Sequence, residues 1–153
     1  TDVLISAEEA GKSIVEIVGQ KGWPYFRDLE YKVLQKVVGF TDCIIDCGGG
    51  AITDLNEHGI QIFSERKVQE IKKNSLVFWL KITPDLACER IGKAVDRPSL
   101  SKDKTAAAEM ADILKIRNPW YQKVADFIFD TGKLSVEELV FEIEKILNQR
   151  KTL

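Results

Sequence analysis

The stretch Cys43-Ile44-Ile45-Asp46-Cys47-Gly48-Gly49-Gly50 decides how this chain is read. An apolar run that ends in three glycines predicts a buried strand stopping at a loop of nearly bare backbone. Leu76-Val77-Phe78-Trp79-Leu80, ending before Thr83-Pro84, repeats the pattern, as does Phe127-Ile128-Phe129-Asp130, closed by Thr131-Gly132. Short apolar runs without alternation suit a parallel sheet covered on both faces. Helical periods lie between them. Phe26, Leu29, Val33, Leu34, Val37 and Val38 recur at helical spacing from Tyr25 onward, with Pro24 suited to a first turn. Further helices are expected over 67–72, from Pro84 with Thr83 as N-cap, over 106–116, and from a capping box at Ser135 with Glu138. Strands alternating with helices imply an α/β domain whose ligands bind beyond the carboxyl ends of the strands.

Composition narrows the class. The 153 residues carry 22 basic and 24 acidic side chains, 44% hydrophobic and 30% charged residues, which is globular composition. A net charge of -2 lacks the basic surplus that nucleic acid or an anionic membrane demands, so neither is an expected partner. No apolar run is long enough to span a bilayer. The 3 cysteines, Cys43, Cys47 and Cys88, suit a reduced, cytoplasmic setting better than a disulfide framework. Without a repeat or linker, residues 1–153 read as one domain.

Several clusters carry candidate chemistry. Gly11-Lys12-Ser13 imitates the end of a phosphate loop, but Ser6 stands where that loop needs its first glycine. The preceding residues, Val3 to Ala10, read as a helix, so Gly11 is expected to end it and Ser13 to cap the next. Gly48, Gly49 and Gly50 can present free N–H groups to ligand oxygens, or simply form a tight turn. Asp46 ends its strand as a possible Mg2+ carboxylate or as a solvated side chain. Arg27 and Glu30 share a helix face and can pair, at a site or on the surface. The polar loop around Arg97, with Arg90 and Lys93 before it, suits a lid over phosphates as well as a plain connection. Pro119 within Arg117-Asn118-Pro119-Trp120-Tyr121 predicts a kink or break, from which Arg117 can reach an anion. His58 falls in an expected turn, solvated.

Taken in order, Asp2, then Gly11-Lys12-Ser13-Ile14-Val15-Glu16-Ile17, Phe26-Arg27-Asp28-Leu29-Glu30, Gly48-Gly49-Gly50, Arg97-Pro98-Ser99-Leu100 and Arg117-Asn118-Pro119-Trp120-Tyr121 resemble the shikimate kinases over essentially the whole chain. The resemblance implies a three-layer α/β fold of the P-loop, nucleoside-monophosphate-kinase-like type with a five-stranded parallel sheet. It implies transfer of the γ-phosphate of ATP, with Mg2+, to the 3-hydroxyl of shikimate in aromatic amino-acid biosynthesis. By that resemblance Asp2 orients the attacking hydroxyl, and Arg27 and Arg117 clasp the shikimate carboxylate. Gly48, Gly49 and Gly50 supply backbone contacts, and Glu30 holds Arg27. Ile14, Val18, Phe26 and Pro98 form the apolar wall, while Arg90 and Arg97 reach the nucleotide phosphates. The substrate-side helices would lie over about 4–39 and the lid over about 93–107, in a cytoplasmic enzyme that is a monomer at full length.

Departures accompany the likeness. Ser99 replaces a leucine usual after the lid's Arg-Pro, and Asp46 stands where the family often has Ser, Thr or Ala. Trp23 replaces a usual glutamate, which reads as a surface-level change. The family's opening strand, Gly-rich loop and helix, roughly 30 residues, are not among these 153. The expectation is a shikimate kinase truncated before Thr1 and inactive as this segment. The alternatives are a non-catalytic shikimate-binding or regulatory relative, or another small-molecule kinase of the fold, which the Arg27, glycine and Arg117 constellation disfavours. Reading the frame upstream of Thr1 tests this: a strand followed by G-x-x-x-x-G-K-[ST] is expected, and an unrelated stretch there would refute it.

Overall fold

The computed structural model describes residues 1–91 and 105–151, so Arg97, Pro98, Ser99 and most of the expected lid lie outside the described residues. The described residues form two compact units, residues 1–77 and residues 78–91 with 105–151.

The first unit is built on helices α1 (Asp2–Glu8) and α2 (Ile14–Val37). Ala10 and Gly11 both adopt positive φ, so the chain leaves α1 in a left-handed turn that glycine accepts without strain. Ser13 then caps α2 in a full capping box with Glu16. The expected helix end and cap therefore both form. A break at Gly22 (φ 79°) lets α2 restart with Pro24 in the new first turn, where its missing N–H costs nothing. Phe26, Leu29, Val33, Leu34 and Val37 form the buried stripe and pack with Ile5 and Ile17. Burying each such side chain is worth about 1.5–3 kcal/mol. Polar contacts fix the angle between the helices: Lys21 Nζ donates to Glu9 Oε1 and Oε2 at 2.8 and 2.6 Å, and Tyr25 Oη also donates to Glu9.

Beyond α2 come the antiparallel hairpin β1 (Thr53–Leu55) and β2 (Gln61–Phe63), turned at Asn56–Gly59, and helix α3 (Glu65–Lys72). His58 sits exposed in that turn, as expected. The segment 43–47 is not a strand. Among the described residues its backbone pairs with no neighbouring strand, and Ile44 is 91% exposed. An apolar run becomes a strand only when another backbone satisfies its N–H and C=O groups. Here Ile45 alone leans on the helical core.

The second unit holds β3 (Phe78–Lys81), α4 (Pro84–Ile91), α5 (Ala106–Val124), β4 (Phe127–Asp130) and α6 (Val136–Lys151). Strands β3 and β4 pair in parallel, Phe78 opposite Phe127 through Lys81 opposite Asp130, and the rings of Phe78 and Phe127 stack at 5.2 Å. Thr83 caps α4 and Ser135 with Glu138 caps α6, as the sequence predicts. The break expected at Pro119 does not occur, because α5 runs through it. One N–H is lost there, but Leu114, Arg117 and Val124 bury one continuous face that keeps the helix in register. No described helix is long and apolar enough to cross a membrane.

The hydrogen bonds from Lys21 and then Tyr25 hold the Glu9 carboxyl below its ordinary pKa. A lowered carboxyl pKa contributes stability that is complete at neutral pH and is lost as acid protonates the folded-state group. Glu9→Gln should accordingly lower Tm at neutral pH, with the gap to wild type closing as pH falls through the lowered value. A gap that persists at acid pH would remove this role from Glu9.

Candidate active site

The glycine segment, the start of α1 and the middle of α2 converge within the first unit. Arg27 and Glu30 lie one turn apart on α2 and are 5% and 4% exposed, so both charges are inside rather than on the surface. Arg27 Nη1 donates to Glu30 Oε2 at 2.9 Å and to the Gly50 carbonyl at 3.3 Å. A Cβ on Gly50 would stand 2.5 Å from that Nη1, so glycine is the residue that lets the guanidinium reach the loop. Gly48 faces the other side of the site, where a Cβ would stand 3.8 Å from Asp2 Oδ1. Asp2, Arg27, Glu30, Gly48 and Gly50 are thus brought together around one short loop, with Gly49 between the two glycines.

Arg27 is incompletely satisfied. Its Nε is buried and has no hydrogen-bond partner. A buried guanidinium N–H without an acceptor is costly, and the group that relieves it best is an anion with two oxygens. The Arg27 Cζ lies over the rings of Trp23 and Phe26, 5.3 Å from each centroid. Trp23 meets Phe26 edge to face at 5.6 Å and packs on the core. Its presence is therefore not a surface-level change, since it forms part of the wall that orients Arg27.

Lys67, expected only as the start of a helix, is the largest fully buried side chain among the described residues. Its Nζ donates to Glu30 Oε2 at 2.6 Å and to the Thr53 carbonyl at 2.8 Å, and lies 3.6 Å from Asp54 Oδ1. Burial pushes the Lys67 ammonium below its ordinary pKa, and the Glu30 carboxylate opposes that shift. Asp54 takes two donors from Arg66 at 2.7 and 2.8 Å and the Ser64 hydroxyl at 2.7 Å. These hold its carboxyl below the ordinary value although burial alone would raise it. Arg66 also reaches Asp28 at 2.7 Å. The missed signal is a spacing: Ser64, Lys67 and Ile71 share one face of α3, and a cation on an otherwise inward stripe needs a buried partner.

Asp46, Arg90 and Arg117 are the remaining expected residues among those described. Asp46 is exposed, and its backbone carbonyl accepts from the Thr1 nitrogen at 2.6 Å. Among the described residues no three acidic, His or Cys side chains converge on a point, so no protein cage for Mg2+ is built there. In the second unit, Arg117 is buried on α5 beside Asn118, whose buried Oδ1 lacks a partner. Arg90 directs Nη1 and Nη2 to the Thr131 hydroxyl and carbonyl at 3.0 and 2.7 Å.

A family model described as shikimate kinase matches residues 1–148. The chain belongs to the shikimate kinase family. It is 38% identical over 148 residues to the shikimate kinase of Leptospira biflexa serovar Patoc, covering 97% of this chain and 78% of that one. With the Leptospira borgpetersenii enzyme it shares 34% over 145 residues, 94% of this chain and 79% of the relative. Among solved structures, the Acinetobacter baumannii shikimate kinase in complex with shikimate superposes with a TM-score of 0.82 at 25% identity, over 98% of this chain and 77% of that chain. The Aquifex aeolicus shikimate kinase gives 0.71 at 28% identity, covering 98% and 80%. The chain therefore has the P-loop kinase fold, and as a shikimate kinase family member it is an ATP-dependent phosphotransferase.

The glycine contact gives a direct check on this candidate site. Gly50→Ala should displace Arg27 from the loop and weaken anion binding about tenfold, roughly 1.4 kcal/mol, whereas Gly19→Ala, exposed on α2 with nothing within 4 Å of the added Cβ, should leave binding unchanged. Equal affinities in calorimetry would separate Gly50 from the site.

Proposed function

We propose that this chain supplies the acceptor-substrate site of a kinase that moves the γ-phosphoryl group of ATP to the 3-hydroxyl of shikimate. The observation that carries this reading is the buried, partnerless Nε of Arg27, fixed by Glu30 and the Gly50 carbonyl. A guanidinium held by its far nitrogen and still owed an acceptor suits a carboxylate, the charged group of shikimate. The relatives named above are shikimate kinases, one of them solved with shikimate.

The proposed roles follow from chemistry and position. Arg27 binds the carboxylate, and Arg117 is assigned as the second guanidinium on the family pattern. Asp2, facing Gly48, accepts a hydrogen bond from a ring hydroxyl and orients its oxygen toward the γ-phosphorus. Phosphoryl transfer needs little covalent help from a protein, so alignment and charge are the main contributions. Backbone N–H groups of Gly48, Gly49 and Gly50 serve the same substrate. Arg97 of the lid is assigned to the phosphates. Arg90 joins it once its two outer nitrogens are shared with or released from Thr131. Mg2+ would enter as the counter-ion of ATP, with Asp46 offering one carboxylate at most, since this cation is commonly held by substrate phosphates and water. The working protein is assigned as a cytoplasmic monomer with residues 1–153 acting as one domain.

Calorimetry on the folded chain tests the reading. Shikimate should bind without ATP, and Arg27→Ala should weaken it about 30-fold, near 2 kcal/mol. Phosphoryl transfer should require a G-x-x-x-x-G-K-[ST] segment, which these 153 residues do not contain. Absence of shikimate binding by a folded sample would refute the assignment.

A further inference from the structure

A lysine that is fully enclosed by protein costs several kcal/mol to desolvate, and an apolar side chain of similar volume would fill the same space without that cost. Lys67 nevertheless occupies such a position, at 0% exposure on α3. Resting on the carboxylate-binding role of Arg27, we infer that Lys67 is a positioning residue for that arginine. By sharing Glu30, it keeps the guanidinium from being neutralised and available to the substrate anion.

One oxygen is contested. Glu30 Oε2 accepts from Arg27 Nη1 at 2.9 Å and from Lys67 Nζ at 2.6 Å. Alone with Arg27, the carboxylate would form a complete ion pair with the guanidinium and cancel the charge that attracts the ligand. With Lys67 present, Arg27, Lys67 and Glu30 together carry one surplus positive charge. The nearby Asp54 stands farther from Lys67 Nζ, at 3.6 Å, and is drawn to two donors of Arg66, so it offsets the Lys67 charge less than Glu30 does. The Thr53 carbonyl takes a second Lys67 proton at 2.8 Å and fixes where the ammonium stands. Burial disfavours the charged lysine, and Glu30 is the main group that keeps it charged. Glu30 Oε2 is the atom both cations touch, so removing its charge should uncouple Lys67 from Arg27.

The role is tested by measuring shikimate affinity calorimetrically for the wild type, Arg27→Ala, Lys67→Met, Glu30→Gln and the Glu30→Gln/Lys67→Met double variant, with a melt on each. Lys67→Met should raise Kd about tenfold. In the Glu30→Gln background the same change should alter Kd by less than about twofold, a coupling that mere loss of packing would not produce. An equal loss in both backgrounds would overturn the role and leave Lys67 a packing residue. Should Lys67→Met fail to fold, the comparison between Glu30→Gln and the double variant decides. Equal affinities there support the role, and a further loss overturns it. Unchanged affinity in Lys67→Met, with Arg27→Ala still defective, would overturn this role alone. A wild type that does not bind shikimate would overturn it together with the site assignment.

Discussion

One carboxylate oxygen organises the first unit. Glu30 Oε2 holds Arg27 on one side and Lys67 on the other, and through them it connects α2 to the glycine loop and to the hairpin with α3. Each of the three residues is at most 5% exposed. None would be tolerated there singly, because an unpaired buried charge costs more than any nearby packing returns. Their mutual dependence is what places a guanidinium edge beside the glycines at a defined angle.

The glycine loop is shaped by the same requirement. Gly50 is needed because the guanidinium occupies the space where any side chain would begin, 2.5 Å from Nη1. Thr53 then closes the turn, its N–H and hydroxyl both donating to the Gly50 carbonyl, at 2.9 and 2.8 Å. That carbonyl is also an acceptor for Arg27, so the loop's backbone conformation and the arginine's orientation are set by one group. The aromatic pair Trp23 and Phe26 limits the remaining freedom by standing against the guanidinium, 5.3 Å from its Cζ.

How much of this was legible in the sequence depended on whether the deciding interaction is local. The Ser13 and Ser135 caps and the α2 stripe from Phe26 to Val37 are specified by neighbours within a few residues, and they form as read. The stretch 43–47 has a strand's composition, but strand formation depends on a second backbone, which the residues themselves do not encode. Pro119 fails in the opposite sense, since local chemistry predicts a break and the buried face of α5 overrides it. Among site residues, the resemblance supplied Asp2, Arg27, Glu30 and the glycines, and the structure brings them together. It could not supply Lys67, Asp54 or Arg66, whose partners are 37, 12 and 38 residues away along the chain. The surface position expected for Trp23 fails for a related reason: the chain breaks at Gly22 just before it, and the ring meets Phe26 edge to face.

The charges around the site also have a direction. Starting in solvent, Asp28 pairs with Arg66, Arg66 with Asp54, Asp54 approaches Lys67, and Lys67 shares Glu30 with Arg27. Three cations and three anions alternate along that path, so the chain of charges is neutral as a whole. Its ends are not equivalent. Asp28 is 61% exposed, and its charge is screened by water and salt, whereas Arg27 lies in the interior, where screening is weak. An alternating row with its negative end in solvent and its positive end inside presents a net attraction for an anion at the inner end. Such an arrangement provides binding charge without an unpaired buried cation, which is the condition a carboxylate site on a small α/β unit has to meet.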